Sequence, residues 1–123
     1  MILVDTSIWI DHLRQCDERL SKRLNQGRVF VHPFVTGELA LGSLQNRDMI
    51  LDALQNLPQA PVASEEEVLQ FIQKNGLYGI GIGYIDAHLL ATTRLVPGAT
   101  LWTRDKRLLA AATSLGLVEH VVH

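Results

Sequence analysis

The N-terminal segment Ile2–Ser7, which reads ILVDTS, decides the fold class. Its first three residues form an apolar run that is typical of a short buried strand. The next three residues all favour the N-terminal end of a helix. A buried strand that leads directly into a helix is the first half of an α/β unit.

The same alternation continues to the end of the chain. Further predicted strands lie at residues 29–31, 60–62, 99–102 and 118–122, and predicted helices lie at about 8–13, 17–26, 33–44, 49–57, 64–75, 84–95 and from 103 onward. Strands that alternate with helices predict an α/β fold whose central sheet has four to five mainly parallel strands. The length of 123 residues suits one domain that spans residues 1–123.

The composition is that of a globular protein. Hydrophobic residues make up 47% of the chain and charged residues 20%, which excludes the disordered class. Cys16 is the only cysteine, so no intrachain disulfide can form. Because no apolar run approaches the roughly 20 residues of a membrane span, and the N-terminus lacks the basic region of a signal peptide, we expect a cytoplasmic protein.

Four acidic residues fall where an α/β sheet binds its ligands. Asp5 follows the first predicted strand and Asp105 lies just after the fourth, and parallel strands end at the one sheet edge where ligands bind. Glu38 and Asp86 lie in early turns of helices whose neighbouring residues are apolar. Acids that converge in such a setting repel one another unless a cation lies among them. Oxygen ligands suit Mg²⁺ or Mn²⁺, the usual ions for chemistry on phosphates.

Each of these acids also has a simpler explanation. Asp5 and Asp105 stand at helix starts, where acids commonly cap the helix or interact with its dipole. Glu38 and Asp86, taken singly, suit solvated helix positions. The metal-site interpretation depends on all four acids together.

The residues around the four acids carry a family resemblance. The segments concerned are Val4-Asp5-Thr6-Ser7, Val35-x-x-Glu38-Leu39, Gly83-Tyr84-Ile85-Asp86-Ala87-His88-Leu89-Leu90-Ala91 and Leu101-Trp102-Thr103-Arg104-Asp105-Lys106-Arg107-Leu108. The chain resembles the PIN-domain nucleases over its full length, and more narrowly the VapC toxins of prokaryotic toxin–antitoxin pairs. This resemblance implies a PIN-like three-layer α/β/α fold.

The resemblance also implies a function. The family consists of Mg²⁺- or Mn²⁺-dependent endoribonucleases, the toxins of type II toxin–antitoxin systems, which cleave structured RNA such as transfer or ribosomal RNA. The implied catalytic residues are Asp5, Glu38, Asp86, Asp105, Ser7 (or Thr6) and Thr103. In this interpretation the three aspartates hold the metal, and Glu38 orients or deprotonates the attacking water. The implied partners are a VapB-type antitoxin and a second copy of the chain, with no membrane association.

The charge balance is compatible with an RNA substrate. The net charge is −2, but when the four acids are left out the chain has eleven basic and nine acidic residues, which gives +2. Arg104, Lys106 and Arg107 flank the last acid and are predicted to position RNA phosphates; Arg14 and Arg28 are expected nearby. Arg104 and Lys106 also suit solvated positions at a helix start.

Two other functions stay open at this point. A phosphatase that forms an aspartyl phosphate would use Asp5 as its nucleophile, but such enzymes generally want a second acid two residues later, where this chain has Ser7. A catalytically silent RNA-binding or interaction module would keep the fold without the activity, and the complete acid set argues against it. The glycine-rich loop at residues 76–83 lacks a phosphate-binding fingerprint, and the histidines lack zinc spacing.

Overall fold

The structure is a computed structural model that describes residues 1–121. Within these residues, short strands and helices follow one another along the chain. They are β1 (Ile2–Val4), α1 (Thr6–Arg14), α2 (Glu18–Asn25), β2 (Val29–Phe30), α3 (Pro33–Ala40), α4 (Arg47–Asn56), α5 (Glu65–Asn75), α6 (Tyr84–Leu95), β3 (Thr100–Trp102) and α7 (Lys106–Ser114). The predicted α/β class is confirmed.

The sheet is parallel and has the order β2-β1-β3. Ile2 pairs with Val29 on one side and with Thr100 on the other, while Val4 pairs with Trp102. The three residues of β1 are buried and apolar, as expected for a strand with a neighbour on both sides. Because β1 is central, the residue that follows it stands in the middle of the carboxyl edge of the sheet.

Single bridges take the place of two further predicted strands. These parallel bridges pair Val31 with Gln59 and Leu101 with Val118. Prolines at positions 58 and 61 flank the first bridge, and proline has no N–H to donate to a longer ladder. The described residues therefore form three strands where the sequence predicted four to five. Val122, the end of the last predicted strand, lies outside the described residues.

Helix α6 is the most deeply buried helix segment. Its residues Ala87–Thr93 are all buried, and it packs against α5 and β3. The core combines β1 with fully buried leucines from helices on several parts of the chain, such as Leu20, Leu89 and Leu108. The apolar surroundings of α6 fix its position, so the first turn of α6 is held at the sheet edge.

Local signals set several helix ends. Ser64 and Glu67 form a complete capping box at the start of α5, and Pro33 occupies the first turn of α3. Helix α3 ends at Ala40, earlier than predicted, so Leu44 packs against the core from outside the helix. Within residues 1–121, no helix is long and apolar enough to cross a membrane.

Candidate active site

The four predicted acids gather at the carboxyl edge of the sheet. Asp5 follows the central strand β1 and is buried, and Asp105 follows the neighbouring strand β3 and is exposed. Glu38 in α3 and Asp86 in the first turn of α6 are both half-buried. Their placement follows from topology, because parallel strands end at one edge and the two helices start beside it.

Two hydroxyl groups hold the carboxylate of Asp5. The Oγ1 of Thr103 donates to Asp5 Oδ2 at 2.7 Å, and the Oγ of Ser7 donates to the same oxygen at 2.9 Å. Thr103 Oγ1 also accepts from the amide of Asp105 at 3.1 Å. The hydroxyls thereby connect the loop after β1 to the loop after β3 and fix the orientation of Asp5.

Thr6 has a separate partner. Its Oγ1 donates to Glu38 Oε1 at 2.7 Å, across 32 residues of sequence. Neighbouring residues at the start of a helix point about 100° apart, so Thr6 and Ser7 reach different acids. The sequence offered Thr6 and Ser7 as alternatives, and the structure gives each its own carboxylate.

Asp105 and Asp86 each accept a backbone N–H. Asp105 Oδ1 caps α7 by accepting from the amide of Leu108 at 2.9 Å. Asp86 Oδ2 accepts from the amide of Gly83 at 3.1 Å. The capping explanation therefore holds for Asp105. Asp5 occupies the N-cap position of α1 but makes no side-chain cap bond, because its carboxylate faces the two hydroxyls instead.

One feature is common to all four carboxylates. In each, a single oxygen accepts the hydrogen bonds that residues 1–121 provide: Asp5 Oδ2, Glu38 Oε1, Asp86 Oδ2 and Asp105 Oδ1. The second oxygen of each carboxylate receives no donor from the described part of the chain. None of the four acids forms an ion pair with a described basic residue either. The edge thus carries four acids that no basic side chain of residues 1–121 neutralises in an ion pair.

The acids influence one another electrostatically. Burial, first of all, raises the pKa of Asp86 above its usual value, and the negative charges of Asp5, Asp105 and Glu38 add to this rise. The hydrogen bond from Gly83 acts in the opposite direction and lowers the pKa of Asp86. Nevertheless, among residues 1–121 no three or more acid, histidine or cysteine side chains are grouped closely enough to hold a metal ion in the present arrangement.

The predicted phosphate-binding residues lie in three different settings. Arg104 pairs with Asp11 on α1 through a 3.1 Å contact between Nε and Oδ2. Arg107 extends over Gly81, where its Nη1 lies 3.5 Å from the carbonyl oxygen. Lys106 is exposed at the start of α7. All three follow β3, at the same edge as the acids.

The expectation for Arg28 was wrong. Arg28 immediately precedes β2 and pairs with Glu119, so it lies at the opposite end of the strands from the acids. Arg14, in contrast, lines a cavity of about 500 Å³ together with Glu38. Apolar residues such as Leu13, Leu39 and Ile50 form much of its wall.

The sequence interpretation missed two contributors to the site. Asp11 lies one helical turn after Ser7, and this i, i+4 spacing could have suggested that it faces the same edge. The close packing of Arg107 on Gly81 had no local sequence signal. Gly81 has φ +85°, a conformation that favours glycine, and a Cβ there would lie 2.6 Å from Nη1 of Arg107, so the flexible end of Arg107 would have to move.

Comparisons with known proteins agree with this geometry. The PIN domain family model matches residues 2–113. The chain is 52% identical over 117 residues to Ribonuclease VapC32 of Mycobacterium tuberculosis, found in two strains, and the match covers 95% of this chain and 94% of each relative. The chain therefore belongs to the PIN-domain family and, within it, to the VapC-type toxins.

Proposed function

We propose that this protein is a metal-dependent endoribonuclease, the toxin of a type II toxin–antitoxin system, with its active site at the acid edge. The main supporting observation is that four carboxylates at the same edge of the sheet each have one oxygen that receives no donor from residues 1–121. The name of the relative, a ribonuclease, supports the reaction type. We further propose structured RNA, such as transfer or ribosomal RNA, as the substrate class.

The donor set fits Mg²⁺ or Mn²⁺. Asp5, Asp86 and Asp105 would hold the ion, because all three offer hard carboxylate oxygens and lack a basic partner within residues 1–121. Burial and, to a smaller extent, the neighbouring negative charges raise the pKa of Asp86, and a cation at the edge would offset both effects. An open arrangement suits Mg²⁺, which keeps several waters and takes only one or two carboxylates directly.

The proposed reaction is an in-line displacement at phosphorus. A bound Mg²⁺ or Mn²⁺ supplies water activation and stabilises charge on the phosphate oxygens. Glu38, oriented by Thr6, accepts the proton of the attacking water on its Oε2. The water oxygen bonds to phosphorus while the bond to the ribose 3′ oxygen breaks, and the released 3′ oxygen takes a proton from solvent water. The products are a 5′-phosphate and a 3′-hydroxyl.

The hydroxyls of Ser7 and Thr103 are positioning groups in this proposal. They hold one oxygen of Asp5 and leave the other toward the edge. Groups that orient metal-binding side chains typically change metal affinity by about 10- to 100-fold when they are lost. Thr103 also holds the loop that carries Asp105, because its hydroxyl accepts from the amide of Asp105.

Basic residues after β3 would contact the RNA backbone. Lys106 and Arg107 are the stronger candidates, since neither forms an ion pair with a described acid. The exposed pair between Arg104 and Asp11 is weak enough to be exchanged for a phosphate. Lys106→Ala and Arg107→Ala should each weaken RNA binding and reduce its salt dependence. An unchanged affinity and salt slope would contradict the phosphate role.

We also propose a VapB-type antitoxin and a second copy of this chain as partners, in the cytoplasm. The cavity beside Glu38, which both apolar and polar residues line, supports an antitoxin contact, because a segment bound there would cover the water-activating acid. Leu41 and Met49, with exposed fractions of 90% and 70%, support self-association. Sedimentation of the purified chain, with and without the candidate antitoxin, measures both.

A cleavage assay tests the proposed activity. The antitoxin-free protein is incubated with total small RNA in Mg²⁺, Mn²⁺ or EDTA, beside an Asp86→Asn variant. Discrete cuts that need the metal and vanish in the variant are expected. If neither metal produces cuts while the chain still binds Mn²⁺, either the substrate RNA is missing from the pool or the protein is a catalytically silent module. Transfer of phosphate to Asp5 from a small phosphodonor would instead indicate a phosphatase.

A further inference from the structure

The backbone of Arg104 lies close to the acid edge. The residue stands in the chain between Thr103, whose hydroxyl donates to Asp5, and Asp105. Its amide donates to Ser7 Oγ at 3.4 Å, and that hydroxyl in turn donates to Asp5 Oδ2 at 2.9 Å. The amide of Arg104 is therefore only two hydrogen bonds away from the carboxylate of Asp5.

The side chain of Arg104 nevertheless binds elsewhere. Its Nε lies 3.1 Å from Oδ2 of Asp11 on α1. Asp11 is four residues after Ser7, so both residues face the same side of α1, one turn apart. It is also six residues, nearly two turns, beyond Asp5. Arg104 thus contacts α1 at two points, and its positive charge is held at the point that is further from Asp5.

This choice of partner needs an explanation, because four acids lie close by. No basic side chain of residues 1–121 neutralises any of them in an ion pair. Opposite charges attract strongly over short distances, and the planar guanidinium matches a carboxylate with two parallel hydrogen bonds. The flexible stem of an arginine lets the charged head change direction. A free Arg104 would therefore bind the acid edge.

An arginine on the acid edge would interfere with the proposed metal site. Its N–H groups would occupy the carboxylate oxygens that a divalent cation needs, so the two cations exclude each other. The other basic residues after β3 are placed differently, since Arg107 extends over Gly81 and Lys106 is exposed at the start of α7. Of these three residues, only Arg104 has an ion-pair partner among residues 1–121.

The pair between Asp11 and Arg104 is strong enough to bias the arginine but not to lock it. The side chains are 35% and 62% exposed. Exposed ion pairs shift an equilibrium by about 1.4- to 5-fold. Such a bias keeps most of the Arg104 side chains on α1 and still allows an RNA phosphate to take the place of Asp11.

We propose that Asp11 is a positioning residue that holds Arg104 away from the acid edge and so keeps the four carboxylates free for the metal. Asp11 acts through Arg104 and does not contact the metal itself. Loss of Asp11 releases the arginine, which then competes with the metal for the acids. This proposal rests on the proposed metal-dependent function.

A double-mutant cycle read by Mn²⁺ titration tests this role. The parent, Asp11→Asn, Arg104→Met and the double variant are compared at low ionic strength, where exposed charges are least screened. Asp11→Asn should weaken Mn²⁺ binding by about 2- to 5-fold. Arg104→Met should bind at least as tightly as the parent, and the double variant should match Arg104→Met within twofold, because methionine cannot pair with an acid. The control Asp48→Asn breaks another exposed aspartate–arginine pair, on α4, and should change binding less than twofold.

Three results would overturn the role of Asp11. They are unchanged Mn²⁺ binding by Asp11→Asn, a loss that persists in the double variant, and an equal loss in Asp48→Asn. The second result would assign a structural or direct electrostatic effect to Asp11, and the third would assign the loss to net charge. A parent chain that binds no Mn²⁺ would refute the metal site and this role together. A chain that binds Mn²⁺ but does not cleave RNA would contradict only the proposed cleavage, and the cycle would still be decisive.

Discussion

Replacing Thr103 with valine tests the hydroxyl network that organises the acid edge. Valine keeps the shape of threonine but removes the donor that lies 2.7 Å from Asp5 Oδ2. A hydrogen bond to a charged group contributes about 1.5–3 kcal/mol. The amide of Asp105 loses its acceptor as well, at a residue that is exposed to solvent. We therefore expect Thr103→Val to lower the free energy of unfolding by about 2 kcal/mol.

The matched control is Thr103→Ser. Serine keeps the hydroxyl and loses one methyl group, which costs about 0.8 kcal/mol when buried. Urea unfolding of the three proteins in EDTA measures the stability difference, and Mn²⁺ titration measures the effect on the metal site. Thr103→Val should bind Mn²⁺ about 10- to 100-fold more weakly than the parent chain, with Thr103→Ser close to the parent. Equal losses in both variants would refute the hydrogen-bond argument, since they would trace the effect to packing.

Three further predictions concern charge and backbone. Burial is the main cause of the raised pKa of Asp86, so ionised Asp86 destabilises the metal-free fold. The parent chain should therefore lose stability as the pH rises from about 3.8 through that raised pKa, whereas Asp86→Asn should lack this loss when unfolding is followed in EDTA. Identical pH profiles for the parent and the variant would contradict the assignment. Burial and, second, the charge of His88 lower the pKa of His32 to about 4. Because the unfolded chain then takes up a proton more readily than the folded one, stability should fall as the pH drops from 6.5 toward 4. An NMR titration that gives His32 an ordinary pKa would disprove this. Gly37 is exposed within α3 and has open space where a Cβ would lie, so Gly37→Ala should stabilise the protein by about 0.5–1 kcal/mol. The control Gly81→Ala should destabilise it, because Gly81 has a positive φ. Thermal unfolding that ranks the two variants in the opposite order would contradict the helix-propensity argument.

The sequence predicted the parts of the fold that depend on local signals. Helix α6 spans the predicted residues 84–95, because its apolar run, N-terminal glycine and following proline all mark the same limits. The capping box at Ser64 was likewise predictable from four residues. The edges of the sheet were not fully predictable: prolines 58 and 61 restrict one bridge, but the residues around Val118 do not themselves distinguish a strand from a single bridge.

The candidate site likewise has one part that the sequence could predict and one part that it could not. That four acids meet at one edge follows from strand order, which an α/β pattern largely fixes. The partners of the acids depend on side-chain directions that no sequence pattern specifies. Thr6 and Ser7 are adjacent, yet they contact acids on different elements. The same holds for Arg104, whose partner Asp11 is on α1. The catalytic roles of these residues stay predictions.

Analysis of the cleaved RNA ends in H₂¹⁸O tests the central claim most directly. The protein is incubated with RNA and Mn²⁺ in labelled water, and the new ends are identified by mass spectrometry. Attack by a water activated at the acid edge predicts one ¹⁸O in every new 5′-phosphate, a 3′-hydroxyl on the other fragment and no cleavage in EDTA. A 2′,3′-cyclic phosphate without ¹⁸O, or equal cleavage in EDTA, would contradict the account, because the ribose hydroxyl would then be the nucleophile.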